Sequence, residues 1–296
     1  MTNGIVNVYK ERGFTSFDVV AKLRGIFHQK KIGHTGTLDP DAEGVLPVCL
    51  GSATKACGLL TDKDKEYEAV LLLGITTDTQ DAAGTVLMRR EVSVSGEEAA
   101  AAIFSFTGDI MQVPPMYSAL KVGGKKLCDL AREGVTVERK PRPVSIYGIE
   151  ILDMQLPRVR MRIHCSKGTY IRTLCHDIGE KLGCGGCMES LLRTRVSEFT
   201  LADALKLSEI GRAWAEGRTD FIRDVDTLFV RYPAVTAQRE AQKLIDNGNR
   251  IPAELTAEKL QEELLRLYDA GGRFVGLYTY EQAAKDYRPV KLFFDR

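Results

Sequence analysis

Gly33-His34-Thr35-Gly36-Thr37-Leu38-Asp39-Pro40, continuing to Gly44-Val45-Leu46-Pro47, is the stretch on which the reading of the whole chain turns. Gly33 and Gly36 permit backbone angles and close approaches that a side chain forbids. Pro40 fixes its own φ and biases Asp39 away from the helical region, so Asp39 sits on a constrained loop. The apolar run Val45 to Leu50 reads as a buried strand or helix segment. A carboxylate on a stiff loop above a packed element is how a fold holds a reactive group still. An Asp-Pro among glycines is equally the mark of an ordinary turn. A calcium loop is excluded: Asp39, Asp41 and Glu43 alternate ahead of Gly44, but the twelfth place is Leu50, where that loop needs glutamate.

Composition bounds the rest. A chain of 296 residues has room for one large domain and a small one. No apolar run is long enough to span a membrane. Met1-Thr2-Asn3-Gly4 lacks the basic and apolar regions of a signal peptide, so a cytoplasmic location is expected. The seven cysteines are odd in number, which argues for reduced thiols rather than a disulfide framework. Cys184-Gly185-Gly186-Cys187 has metal-knuckle spacing, but no second pair accompanies it, and buried thiols are the expectation. The net charge of +1 does not announce a nucleic-acid partner. Between Lys121 and Arg142, however, seven basic residues outnumber three acidic ones, a local excess of +4. Lys121, Lys125, Lys126, Arg132 and Arg142 are its candidate phosphate contacts, although such a run is often only a solvated face.

The motif Gly33 to Pro40 resembles the signature of the TruB family of tRNA pseudouridine synthases. Four further stretches agree with that family in the same order: Lys65-Glu66-Tyr67; Gly74 to Asp78; Pro114-Pro115-Met116-Tyr117-Ser118-Ala119-Leu120-Lys121; and Lys167-Gly168-Thr169-Tyr170-Ile171-Arg172-Thr173. The resemblance covers about residues 4 to 195. It implies an α+β fold: a large mixed, mainly antiparallel sheet flanked by helices over 1–231, then a small PUA-like, RNA-binding β domain over 232–296. It places an RNA-gripping insertion at about 121–143, which the guide-RNA-dependent relatives lack.

The order of elements fits. Gly4 to Tyr9 reads as a strand, Lys10 to Gly13 as a turn, and Thr15 or Ser16 caps a helix with Phe17, Val20, Leu23, Ile26 and Phe27 at helical spacing. Gly51 to Thr61 looks helical, Val70 to Leu73 is a buried strand, and Ile75 to Asp81 is a polar turn. Val144 to Leu152 and Val159 to Cys165 pair across Leu156-Pro157. Tyr170 to Gly179 begins a helix, and Leu205 to Trp214 forms another, with Trp214 as packing. Beyond Tyr232-Pro233 come a helix, Gln238 to Asp246, and short strands at Leu265 to Tyr268, Phe274 to Tyr278 and Val290 to Phe293, the pattern of a small barrel.

Pseudouridine formation breaks the bond from ribose C1′ to uracil N1 and rejoins the base through C5. No atoms are gained or lost, so no cofactor or metal is required. The resemblance assigns the nucleophilic carboxylate to Asp39. It assigns Tyr67 to stacking on the uracil or moving a proton, and Arg172 to orienting Asp39. Base flipping is needed to bring the uridine out of a folded loop. His34 is the candidate to fill the gap, with Tyr170 and Leu191 against the flipped base. Leu191 reads equally well as plain core. Asp41 and Glu43 are expected to raise the Asp39 pKa. The implied substrate is the T-loop uridine of tRNA, position 55, recognised through the T arm without guide RNA or an obligate protein partner. Rival readings are a glycoside or nucleoside hydrolase using Asp39 with a second carboxylate, a non-enzymatic tRNA-binding factor, and a guide-dependent rRNA modifier.

Overall fold

The strand Gly4–Lys10 is buried along almost its whole length. It belongs to a ten-stranded sheet in a computed structural model that describes residues 1–294. Reading across the main path, the order is Ile222–Arg223, Gly4–Lys10, Glu43–Leu50, Gly186–Val196, Lys65–Leu73, Arg158–Cys165, Arg142–Gln155 and Gly108–Gln112. Ile32–His34 adds beside Glu43–Leu50, and Phe199–Thr200 beside Gly186–Val196. The expected mainly antiparallel sheet is borne out: every pairing is antiparallel except that of Glu43–Leu50 with Gly186–Val196. That one parallel seam is short, Leu192 opposite Glu43 and Arg193 opposite Gly44. Gly44 is required there, because its φ is +105° and a Cβ would stand 2.2 Å from the Arg193 carbonyl oxygen.

Two apolar clusters lie on the sheet. Helix Ser16–Ile26 starts at a reciprocal cap, in which the Thr15 hydroxyl accepts from the Asp18 N–H and the Asp18 carboxylate from the Thr15 N–H. Its buried Val19, Val20 and Leu23 pack on Val6, Val8 and Val48. Helix Ile171–Lys181 lays Ile171, Leu174, Cys175 and Ile178 on Leu71, Met161 and Ile163. Each such aliphatic side chain contributes about 1.5–3 kcal/mol by burial. Packing therefore fixes the end of this helix that carries Arg172.

Lys10 departs from expectation: it closes the first strand rather than opening a turn, and it is fully buried. The Gly51 to Thr61 helix is split into a 3-10 turn, Gly51–Ala56, and one α-turn, Cys57–Thr61. Val45 to Leu50 is strand, not helix. In the basic stretch, Lys121–Val122 and Lys125–Lys126 form a hairpin about Gly123 and Gly124, followed by helix Leu127–Arg132. Arg142 lies outside that projection, on the long strand Arg142–Gln155. Trp214 packs edge-on against Phe27, with ring centroids 4.8 Å apart.

The C-terminal residues make a separate five-stranded sheet, ordered Ala234–Thr236, Leu265–Tyr268, Phe274–Glu281, Asp286–Leu292 and Ile251–Pro252. It has its own core around Val235, Ile245, Leu267 and Tyr287. Ala56, Phe229, Leu277 and Phe293 join it to the larger body.

Candidate active site

Three backbone anchors hold the Asp39 loop. The Thr35 hydroxyl donates to the Pro47 carbonyl at 3.1 Å, and the Ser16 hydroxyl accepts from the Leu38 N–H at 2.9 Å. The Pro40 carbonyl accepts from the Gly13 N–H at 2.9 Å and from Lys10 Nζ at 3.1 Å. Leu38, one residue before Asp39, is buried in the same cluster as Tyr67, Ile171 and Leu191. The loop is thus stiff, as the glycines and Pro40 suggest.

Arg172 stands on the first turn of helix Ile171–Lys181. Its Nε meets Asp39 Oδ2 at 2.9 Å and its Nη2 meets Oδ1 at 3.2 Å, a two-pronged pair. The remaining donors are fixed too: Nη1 to the Thr79 carbonyl at 3.0 Å and Nη2 to the Tyr117 carbonyl at 2.7 Å. The side chain of Arg172 is 6% exposed and that of Asp39 is 38% exposed. A large molecule can therefore reach the carboxylate but not the cation that orients it. Burial raises the Asp39 carboxyl above the ordinary aspartate range, and Arg172 pulls it back. The opposing negative charge is Asp81, not Asp41 or Glu43. Asp41 instead pairs with Arg12 at 3.2 Å on the surface, and Glu43 accepts from the Tyr9 hydroxyl. Asp81 also lies 3.7 Å from Arg172 Nη1.

Tyr67 is buried on Lys65–Leu73, facing the same cluster, and the Asp39 charge bears on its phenol. Burial raises the phenol pKa, and Arg193 opposes the rise. Tyr170 caps the Arg172 helix. Its N–H donates to Gln112 Oε1 at 2.8 Å, and its carbonyl accepts from Gln112 Nε2 at 3.0 Å. Arg172, Arg142 and Asp39 all bear electrostatically on its phenol. Leu191 is 8% exposed and packs with Tyr67 and Leu38 as part of the core. His34 ends the short strand Ile32–His34, and its Nδ1 accepts from the Gly36 N–H at 3.3 Å. Burial and the Arg193 charge lower its pKa, which keeps the ring neutral at neutral pH.

The structure thus gathers Asp39, Tyr67, Arg172, Tyr170 and Leu191 in one neighbourhood, with His34 at the start of the Asp39 loop. Lys121, Lys125, Lys126 and Arg132 are exposed on the projection, while Arg142 is exposed near Tyr170. Sequence reading misses Gln112, Asp81, Lys10 and Arg193. Only Arg193 left a signal, an arginine two residues from Leu191 and so on the same strand face. Cys184 and Cys187 are buried free thiols.

The fold matches that of a Cbf5-Nop10-Gar1 complex with a TM-score of 0.71 at 26% identity, over 99% of this chain and 85% of the other. Residues 24–171 match the TruB family pseudouridylate synthase N-terminal domain, and 172–229 match the tRNA pseudouridylate synthase B C-terminal domain. The chain belongs to the TruB family of pseudouridine synthases, which are isomerases. It is 53% identical to tRNA pseudouridine synthase B of Lachnoclostridium phytofermentans, over 98% of this chain and 99% of that protein. To the protein of that name from Stutzerimonas stutzeri it is 42% identical, over 93% and 90% respectively.

Proposed function

We propose that this enzyme isomerises the T-loop uridine of tRNA to pseudouridine, with Asp39 as the nucleophile and the uridine flipped out of its loop. The observation that carries the reading is the Asp39–Arg172 fork, set beside the cluster that holds Leu38, Tyr67 and Leu191 and next to Tyr170 at the start of the Arg172 helix. The fork keeps the carboxylate ionised and aimed while one edge stays open to substrate. Tyr67 lies against the flipped base, and the neutral His34 fills the space the base vacates. Isomerisation leaves nothing to oxidise, reduce or hydrolyse, and Asp39, Arg172 and the two phenols supply the nucleophile, its orientation and the proton-bearing groups that it calls for. Tritium release from [5-³H]uridine-labelled tRNA transcript tests the reading. Release is expected from wild-type transcript and not from one whose T-loop uridine is replaced by cytidine. Equal release from both would move the target elsewhere.

The insertion at about 121–143, through the part that projects ahead of Arg142, serves as the RNA grip, and the C-terminal domain that begins at residue 232 is PUA-like and extends the RNA surface. Lys121 and Lys126 stand directly opposite each other across the hairpin. Like charges in that position repel unless an anion sits between them. Lys125 pairs with Glu133 at 3.2 Å and Arg132 with Asp129 at 3.5 Å, both well exposed, and such pairs exchange readily for phosphates. A projection that grips RNA by itself supports an enzyme that works in the cytoplasm without guide RNA or an obligate protein partner. Replacing Lys121, Lys125 and Lys126 together by Ala is expected to weaken tRNA binding about 10-fold or more. The slope of log K against log salt should shrink by about two to three, one phosphate contact per lysine. An unchanged slope, read by filter binding across a salt series, would show that these lysines contact no phosphate.

A further inference from the structure

Arg193 is the largest of the fully buried side chains in the described residues, at 1% exposure. It sits on the parallel seam of the sheet, where its register partners are Gly44 on one side and Tyr67 on the other. Its Nε donates to the Val45 carbonyl at 2.7 Å, and its Nη2 lies 3.4 Å from the Gly36 carbonyl. The guanidinium also lies against the Tyr67 hydroxyl. Among the described residues no carboxylate forms an ion pair with it; Tyr67 is the partner that favours its charge. A guanidinium buried without a counter-ion is costly, and an apolar residue of the same size would fill the space more cheaply. Packing alone does not explain it.

The three contacts do have a common consequence. Gly36 belongs to the Asp39 loop, Val45 to the strand that follows it, and Tyr67 to the antiparallel strand on the other side of Arg193's own strand. One side chain therefore ties the nucleophile's loop to the phenol. A guanidinium has donors and no acceptor, so it can only donate to the phenol oxygen. That leaves the Tyr67 proton free for a partner other than Arg193. We infer that Arg193 is a positioning residue: it fixes the Tyr67 hydroxyl relative to Asp39 and leaves that hydroxyl as the donor facing the flipped base. The inference rests on the site reading under Proposed function.

Arg193→Met and Arg193→Lys test it, each in the wild-type and the Tyr67→Phe backgrounds. Two readouts are taken: the phenol titration of Tyr67 by NMR of ζ-¹³C-tyrosine, and the single-turnover rate on tRNA. Arg193→Met is expected to move the Tyr67 titration up by about one pH unit or more. It should slow turnover about 10²-fold while tRNA affinity changes little. Arg193→Lys keeps a donor and should restore part of both. In the Tyr67→Phe background, where the hydroxyl is gone, Arg193→Met should cost no more than about two-fold, a non-additive cycle. Equal costs in the two backgrounds, or unfolding of both Arg193 variants, would assign the residue to packing and overturn the proposal. A Tyr67→Phe enzyme as fast as wild type would instead overturn the site reading, and the phenol titration would still report whether Arg193 governs that hydroxyl.

Discussion

Asp39→Asn is expected to abolish tritium release, a fall of at least about 10³-fold in single-turnover rate, or ~4 kcal/mol of barrier. The side chain keeps its size, and its remaining oxygen still accepts from Arg172. What disappears is the negative charge and the electron pair that attacks or stabilises the broken-bond state. Asparagine is nearly isosteric with aspartate, and the exposed basic residues lie elsewhere in the chain, so the RNA surface is untouched. Affinity for tRNA should therefore stay within a few-fold, measured on the same samples by filter binding. The products separate the reading from its rivals. A hydrolase using Asp39 would liberate uracil, whereas an isomerase liberates tritium and no free base. Release that persists in Asp39→Asn would remove this carboxylate from the mechanism. Tight binding without release by wild type would favour a binding factor.

The motif Gly33 to Pro40 exposed the site in the sequence because two glycines, a proline and a carboxylate constrain the chain locally. Turn chemistry is a property of neighbours, and it survives without knowledge of the fold. Helix Ser16–Ile26 was legible for the same reason, since its cap and the buried Val20 and Leu23 lie within one short stretch, although Phe17, read with them, is exposed and Val19 is buried in its stead. Tyr67 and Arg172 needed a family resemblance, as they lie far from Asp39 in the chain and meet it only through the sheet. The rest was not legible. Gln112 is one polar residue at a strand end, and its clamp on Tyr170 spans 58 positions. Asp81 looked like turn filler, and only the path of the chain brings it beside Arg172. Asp41 and Glu43 are near Asp39 in sequence, yet their side chains turn away to Arg12 and Tyr9. Proximity along the chain misassigned the charge that proximity in space supplies. Lys10 was misread because a lysine followed by Glu-Arg-Gly looks solvated. It is buried instead, its amine bonded to the Pro40 and Glu11 carbonyls, and burial draws its pKa down to about 8.

Arg172→Lys should slow turnover about 10²-fold at neutral pH, the scale of losing one preorganised electrostatic group. It should also move the acid limb of the rate profile to higher pH. The guanidinium makes two contacts with Asp39 and two with the Thr79 and Tyr117 carbonyls, and an ammonium cannot span that fork. The sign follows from the groups around Asp39. Its carboxyl already titrates above the ordinary aspartate range because it is buried, and Asp81 pushes it further up. Arg172 is the largest opposing influence. Weakening it favours the protonated carboxyl, so Asp39 must be titrated at higher pH before it can act. Activity in the variant should therefore fall off earlier as pH drops, and recover in part as pH rises above neutral. A general loss of folding would lower the whole profile without moving its limb. Single-turnover rates from pH 5 to 9 for wild type and Arg172→Lys distinguish the two. An unmoved acid limb would mean that Arg172 holds Asp39 in place without governing its charge.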